Sequence, residues 1–312
     1  MMFAAIDAGS NTLRLLIGQV AEGKVVPELY LRRICRLAGG FSQEKGLSPD
    51  AMERTLLVFA EFAEACCQAG VSNVKAVGTE AFRKADNGEA FCKEVRERTG
   101  VPLEIISGEL EAEYMLNGVL NALEPVPDHA LIVDVGGGST EFVLCSHKEK
   151  IWTRSIPLGV VLLTEEYSSQ KLRKAVIEDH LENLKSEMNQ FCHSKGFDLS
   201  DFTLVGTAGT VTTLAALDMR MVDYDWRKIN NYSLTHAKLL KWLSGLSPLC
   251  AKEREALPGM EAGRGDLVIP GLEIILSLMQ KTQSDSLKVS DSGILEGLLV
   301  SQQNTDNPCP FH

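Results

Sequence analysis

Two stretches hold the residue types that phosphate and metal chemistry need. FAAIDAGSNTLRLLIGQV spans residues 3–20, and ALIVDVGGGSTEFVLC spans residues 130–145. Each drives an apolar run into an aspartate, Asp7 or Asp134, then through Gly, Ser, Asn or Thr, and straight into a second apolar run. A loop of this composition between strands turns several backbone N–H groups toward one point, because glycine tolerates unusual dihedrals and close approach. Such a nest binds phosphate. An aspartate at the strand end beside it is placed to hold Mg2+, an ion that takes oxygen ligands and keeps waters. A P-loop and a dinucleotide fingerprint both open a helix, whereas these loops lead into TLRLLIG and TEFVLC, which read as strands. One such loop alone would be a plain hairpin turn, but two copies at corresponding places read as a two-sided phosphate clamp. A third loop, in LVGTAGTVTTLAAL, passes from strand to helix; it fits a phosphate or nucleotide contact at Gly209 and Thr210 and an ordinary capped helix start equally well.

The elements that must position these loops repeat. Residues 3–34 read as two hairpins, and Ser48 followed by Pro49 predicts the start of a helix. Its apolar positions Met52, Leu56, Phe59 and Phe62 keep helical spacing up to a stop at Gly70. VKAVGT and LEIIS read as strands, with helices around EAFCKEVRERTG and from GELEAEYMLNGVL. The segment LEPVPDH breaks the series as a linker at residues 123–129. ALIVDV, TEFVLC and IWTRSI then restart it as strands, followed by a long helix over about 171–194, a strand TLVGT and a helix TVTTLAAL. A repeat of this length is a domain duplication within an α/β chain. VIPGLEIILSLMQ and LKVSDSGILEGLLVSQ read as helix, short strand and closing helix, and the tail NTDNPCPFH as frayed.

The chain has 312 residues, about two domains at roughly 150 residues each. Apolar residues at 45% and charged residues at 23% are those of a globular protein. A net charge of -11 argues against nucleic-acid binding, which needs a basic surface. The longest apolar stretch, LVIPGLEIILSLM, is short for a membrane span and contains Glu273. The opening residues lack a basic n-region, so a cytoplasmic protein without membrane contact is expected. The eight cysteines form no C-x-x-C, which argues for buried or incidental thiols and against disulfides or structural zinc.

The motifs AAIDAGSNTLRLLI, AVGTEAFRKA, IISGELEAEY, IVDVGGGSTEFV, SIPLGVVLLTE, VGTAGTVTTLAAL and VSDSGILEGLL occur in this order, to about residue 301. Together they closely resemble the exopolyphosphatase and guanosine pentaphosphate phosphohydrolase family. The resemblance implies an α/β fold of two duplicated actin-like (ribonuclease H-like) domains with an interdomain cleft, of the actin, heat-shock-protein-70 and sugar-kinase type. Domain I is then expected over 1–122 plus 297–312 and domain II over 123–296. It implies a catalytic base at Glu111, which by itself reads only as a helix-start acid favoured by the macrodipole. It also implies metal contacts at Asp134, Glu141 and Asp7, and phosphate contacts at Ser10, Asn11, Arg14, Arg83, Gly136, Gly137, Gly138, Ser139, Gly209, Thr210 and Arg264.

The implied activity is metal-dependent release of terminal phosphate from inorganic polyphosphate, or conversion of guanosine pentaphosphate to tetraphosphate. Mg2+ is the implied cofactor, with Mn2+ as the alternative, and a homodimer the implied assembly. Long members of the family carry an additional helical, HD-type C-terminal region, and the resemblance implies the short two-domain form here. Two rival functions are a kinase of the same fold and a non-catalytic sensor that binds guanosine tetraphosphate or polyphosphate.

Overall fold

The opening strand, β1 (Phe3–Ala8), is buried at every position. A strand of that kind belongs inside a sheet covered by helices on both faces. The computed structural model describes residues 1–38, 46–71, 73–167 and 169–303. The chain continues with β2 (Thr12–Ala21), β3 (Lys24–Ile34), α1 (Pro49–Gln68), β4 (Asn73–Gly78), α2 (Glu80–Lys84), α3 (Gly88–Thr99), β5 (Leu103–Ile105) and α4 (Gly108–Ala122). The second series comprises β6 (His129–Val135), β7 (Thr140–Ser146), β8 (Glu149–Ile156), α5 (Val160–Glu166), α6 (Gln170–Lys195), β9 (Thr203–Thr207) and α7 (Ala208–Asp218). It ends with α8 (Trp226–Ile229), β10 (Ser233–Thr235), α9 (His236–Leu246), α10 (Ala251–Glu255), α11 (Val268–Lys281) and β11 (Ser286–Val289), after which α12 (Ile294–Gln303) closes the chain.

Local signals act where the sequence places them. Ser48 Oγ accepts the Ala51 N–H at 3.3 Å ahead of Pro49. Ser169 caps α6 in the same way, and Gly196 ends it in the left-handed region.

The first sheet has the order β3-β2-β1-β4-β5, antiparallel through β1 and parallel beyond it. On one face Leu13, Leu15 and Ile17 join Phe59, Phe62 and Phe91. On the other, Phe3, Ala5 and Leu16 join Tyr114, Leu298 and Leu299. The second sheet, read from its far edge, runs β8-β7-β6-β9-β11 with the same directions and then gains β10, antiparallel at the end. Its core gathers Leu131, Val133, Phe142 and Leu144 with Ile177, Leu181, Leu272 and Ile275. Equal strand order and direction in both sheets make the duplication a structural fact. The two sheets make an α/β fold of two duplicated units.

The chain divides into a first unit, Met1–Asn121 with the segment from Gly293, and a second unit, Ala122–Ser292. The return to the first unit thus precedes the expected residue 297. The reason is the packing of α12 on α4. A Cβ on Gly118 would lie 1.8 Å from the Gly293 carbonyl oxygen, and one on Gly297 equally close, at 1.8 Å, to that of Tyr114. Backbone meets backbone from the first turn of α12.

Residues 219–266 carry no element in the sequence reading, yet they contain α8, β10, α9 and α10. Three of these are five residues or shorter, and α9 buries only Leu239 and Leu246, too few to mark a stripe. The tail NTDNPCPFH lies outside the described residues. Among the described residues no helix is long and apolar enough to cross a membrane. The cysteines described are free thiols; burial pushes Cys66 up to about 12 and Cys92 up to about 11, which leaves both inert near neutral pH.

Candidate active site

Strand register decides which loops share an edge. In the first unit Ala8, Gly78 and Ile105 are aligned across the parallel strands β1, β4 and β5. In the second, Asp134 is aligned with Thr207, and Gly206 with Val289, across β6, β9 and β11. The loops leaving these strand ends therefore emerge on one side of each sheet. That carboxyl edge is where open α/β sheets take their ligands.

In the first unit this edge collects Asp7 and the Ser10–Asn11 loop after β1, Arg83 on α2 after β4, and Glu111 in the first turn of α4 after β5. The hairpin loop is tied down by its carbonyls: Asn11 O accepts from Cys35 N and Arg36 N at 2.9 Å each, and Ser10 O from Ala38 N at 2.8 Å. Asp7 is 4% exposed and stands opposite Arg14 in the β1-β2 register. Arg14 Nε and Nη2 both reach Asp7 Oδ2, at 3.0 and 2.5 Å. Ser107 starts α4 by accepting the Leu110 N–H on its Oγ at 3.2 Å, which fixes Glu111 one turn in. Arg83 Nη1 donates to Glu111 Oε2 and to the Ile106 carbonyl, both at 2.8 Å. The guanidinium thus orients the carboxylate against the end of β5.

In the second unit the edge collects Asp134, the Gly136–Ser139 loop, and Gly209 and Thr210 at the start of α7. Here Asp134 stands opposite Glu141 in the β6-β7 register, where the first unit has Arg14 opposite Asp7. Glu141 Oε1 accepts from Ser139 Oγ at 2.6 Å and from Ser155 Oγ at 2.8 Å. The glycine loop leans on α5: Gly136 O accepts from Val160 N at 3.0 Å, and Gly137 O from Val161 N at 2.8 Å. A Cβ on Gly159 would come within 2.2 Å of Gly137 O, so the helix can approach the loop only with glycine there. At the start of α7, Ala208 adopts φ 63, a left-handed backbone that disfavours a side chain. Thr210 Oγ1 fixes the turn by donating to the Val135 carbonyl at 2.9 Å. Arg264 lies across Gly209, where a Cβ would fall 1.9 Å from its Nη2, and Glu261 holds its Nε.

The sequence-expected residues are thus gathered at the edge of their own unit's sheet, and Arg264 joins that edge through Gly209. Ser107, Ser155, Glu261 and Ala208 were missed. Only Ser107, just ahead of a helical run, carries a local signal; the others need the register or the packing to acquire a role.

Among the described residues no three of His, Cys, Asp and Glu gather as a metal centre. The opposed pair Asp134 and Glu141 still suits Mg2+, since directly opposite side chains have Cβ atoms about 5 Å apart and share a face. Mg2+ commonly takes one or two carboxylates and fills the rest with waters and substrate phosphates. Asp7 is engaged by Arg14 and fits such an ion less well.

Residues 16–306 match the Ppx/GppA phosphatase family. Exopolyphosphatase 2 of Mycobacterium tuberculosis is 32% identical, over 96% of this chain and 97% of its own. A crystal structure of the Aquifex aeolicus member of the Ppx/GppA family superposes with a TM-score of 0.82 at 32% identity, over 98% of this chain and 99% of that one. A guanosine-5'-triphosphate,3'-diphosphate pyrophosphatase of Vibrio parahaemolyticus is 27% identical over 96% of this chain, which matches 58% of that relative. The chain belongs to the Ppx/GppA phosphatase family.

Proposed function

We propose that the protein hydrolyses the terminal phosphoanhydride of a phosphate chain, with inorganic polyphosphate or guanosine pentaphosphate as substrate. The observation that carries this reading is the Arg83–Glu111 pair at the edge of a sheet whose hairpin loop is built a second time in the other unit. The relative named exopolyphosphatase matches along nearly its full length, which favours the polyphosphate arm.

In this mechanism Glu111 accepts a proton from a water as the water oxygen bonds to the terminal phosphorus. The bridging P–O bond breaks, and its electron pair leaves with the shortened chain. Arg83, already hydrogen-bonded to Glu111, positions the base and meets a phosphate oxygen with its remaining donors. Each unit's hairpin loop offers donors to phosphate oxygens: Ser10 and Asn11 in the first, and Ser139 with the backbone N–H groups of Gly136–Gly138 in the second. Phosphoryl transfer asks mainly for such positioning and charge stabilisation. Asp134 and Glu141 would hold Mg2+ or Mn2+, which when bound neutralises phosphate oxygens.

The test is phosphate release by the purified protein, with Mg2+ and with chelator, from polyphosphate, guanosine pentaphosphate and ATP in parallel. Metal-dependent release from either of the first two supports the reading and selects the substrate. Binding without release from any of the three would overturn it in favour of a sensor, and release from ATP only with an added acceptor in favour of a kinase.

A further inference from the structure

A cavity of about 320 Å3 opens in the second unit, lined among others by Tyr167, Gln170, Arg173, Ser247, Arg254 and Asp266. None of the residues assigned to phosphate, metal or catalysis above lines it. Its two arginines differ in how their charge is met. Arg173 binds Glu273 through Nε and Nη2 at 2.7 and 3.0 Å and gives Nη1 to the Tyr167 carbonyl, so its charge is cancelled inside a buried pair. Arg254 instead spends Nε on the Leu246 carbonyl at 2.9 Å and Nη1 on the Gly265 carbonyl at 3.0 Å, acceptors with no net charge. Burial pushes its guanidinium down from the usual range, and the neighbouring Arg173 adds to this, outweighing Cys250 and the exposed Asp266. A positive charge held under such conditions gains from an anion beside it.

The same cavity offers hydrogen-bond donors still to be used. Arg254 Nη2, Tyr167 Oη and the Gln170 amide have no hydrogen-bond partner among the described residues. A guanidinium with an adjacent hydroxyl and amide makes a donor set for tetrahedral oxygens, and charge-assisted bonds from arginine are the strong member of such a set. We propose that this cavity binds a phosphoryl dianion, separately from the glycine loops, with Arg254 supplying the charge and Tyr167 and Gln170 the further hydrogen bonds. Since Arg254 also holds the carbonyl of Gly265, the residue after Arg264, an anion bound there braces the segment that presents Arg264 to the α7 turn. The assignment does not depend on the hydrolase reading.

Ile269 lines the cavity and gives a local reporter. The full-length protein, labelled with 13C at isoleucine methyls, is titrated with inorganic phosphate and, in parallel, with guanosine monophosphate. The Ile269 methyl is expected to shift saturably with phosphate. An equal or tighter response to the nucleotide assigns the anion to a phosphate ester, and a response to phosphate alone assigns it to the free ion. Arg254→Gln is expected to weaken the Ile269 response about tenfold or more, and Tyr167→Phe several-fold. Arg254 ties two carbonyls, so Tyr167→Phe and Gln170→Leu keep the test open should Arg254→Gln fail to fold. An Ile269 methyl that stays put with both anions, or a shift equal in wild type and in every folded variant, would overturn the site.

Discussion

The two units build the same hairpin and fill its matched position with opposite charge. In the first, Asp7 faces Arg14; in the second, Asp134 faces Glu141. The first hairpin is therefore electrostatically closed on itself, with a buried carboxylate neutralised by its own arginine. The second sets two carboxylates opposite one another and holds one of them, Glu141, with the hydroxyls of Ser139 and Ser155. One scaffold thus supports two roles, and the difference lies in one residue per hairpin. The catalytic candidate, Glu111, belongs to the unit of the Asp7–Arg14 hairpin, and the Asp134–Glu141 pair to the other unit.

The largest expected effect breaks this division at its base. Glu111→Gln should lower phosphate release by about 10²–10⁴-fold while leaving substrate binding, followed by calorimetry, within a few-fold. A Glu111→Gln enzyme with full turnover would move the chemistry elsewhere. Next, Glu141→Gln should raise the Mg2+ concentration for half-maximal release by at least about tenfold, a change that Arg14→Gln should not reproduce. Arg14→Gln should instead cost about 1–3 kcal/mol of stability in denaturant titrations, less than a fully buried pair because the guanidinium is one-third exposed. Equal metal requirements in the two variants would erase the contrast between the hairpins.

A smaller effect separates two glycines of the second hairpin and its supporting helix. Gly159→Ala forces its Cβ onto the Gly137 carbonyl and should cost about 1–3 kcal/mol with lowered activity. Gly138→Ala, with no atom within 4 Å of its Cβ, should leave thermal stability nearly unchanged.

The smallest effect is a pH dependence peculiar to the second unit. Burial pushes the Asp218 carboxyl up, but Lys238, Tyr232 and Trp242 together hold it below the usual carboxylate range. A depressed folded-state value gives stability that is present above the unfolded-state value and lost as pH falls through the folded one. The stability gap between wild type and Asp218→Asn should therefore narrow on acidification. Amide hydrogen exchange should place that change in α7, which carries Asp218, and in α9, which carries Lys238 and Trp242.

Much of this was written locally. Period-2 and period-3.6 apolar patterns, Ser48 before Pro49, and the Gly, Ser and Asn turns fixed the strands other than β10, together with α1, α6 and both hairpins, because each depends on neighbours within a few residues. The repeat of those patterns was enough to show the duplication. The candidate residues were legible as types in motifs. Their partners were not: Arg83 meets Glu111 from 28 positions away, Ser155 meets Glu141 from 14, and Arg173 meets Glu273 from 100. A one-residue slip in strand register would turn Glu141 to the other face and away from Asp134. The sequence by itself determined most of the longer elements, the repeat and the loops able to hold phosphate. Register and helix docking decided that one hairpin sets an aspartate against an arginine and the other an aspartate opposite a glutamate, because only they set which distant side chains meet.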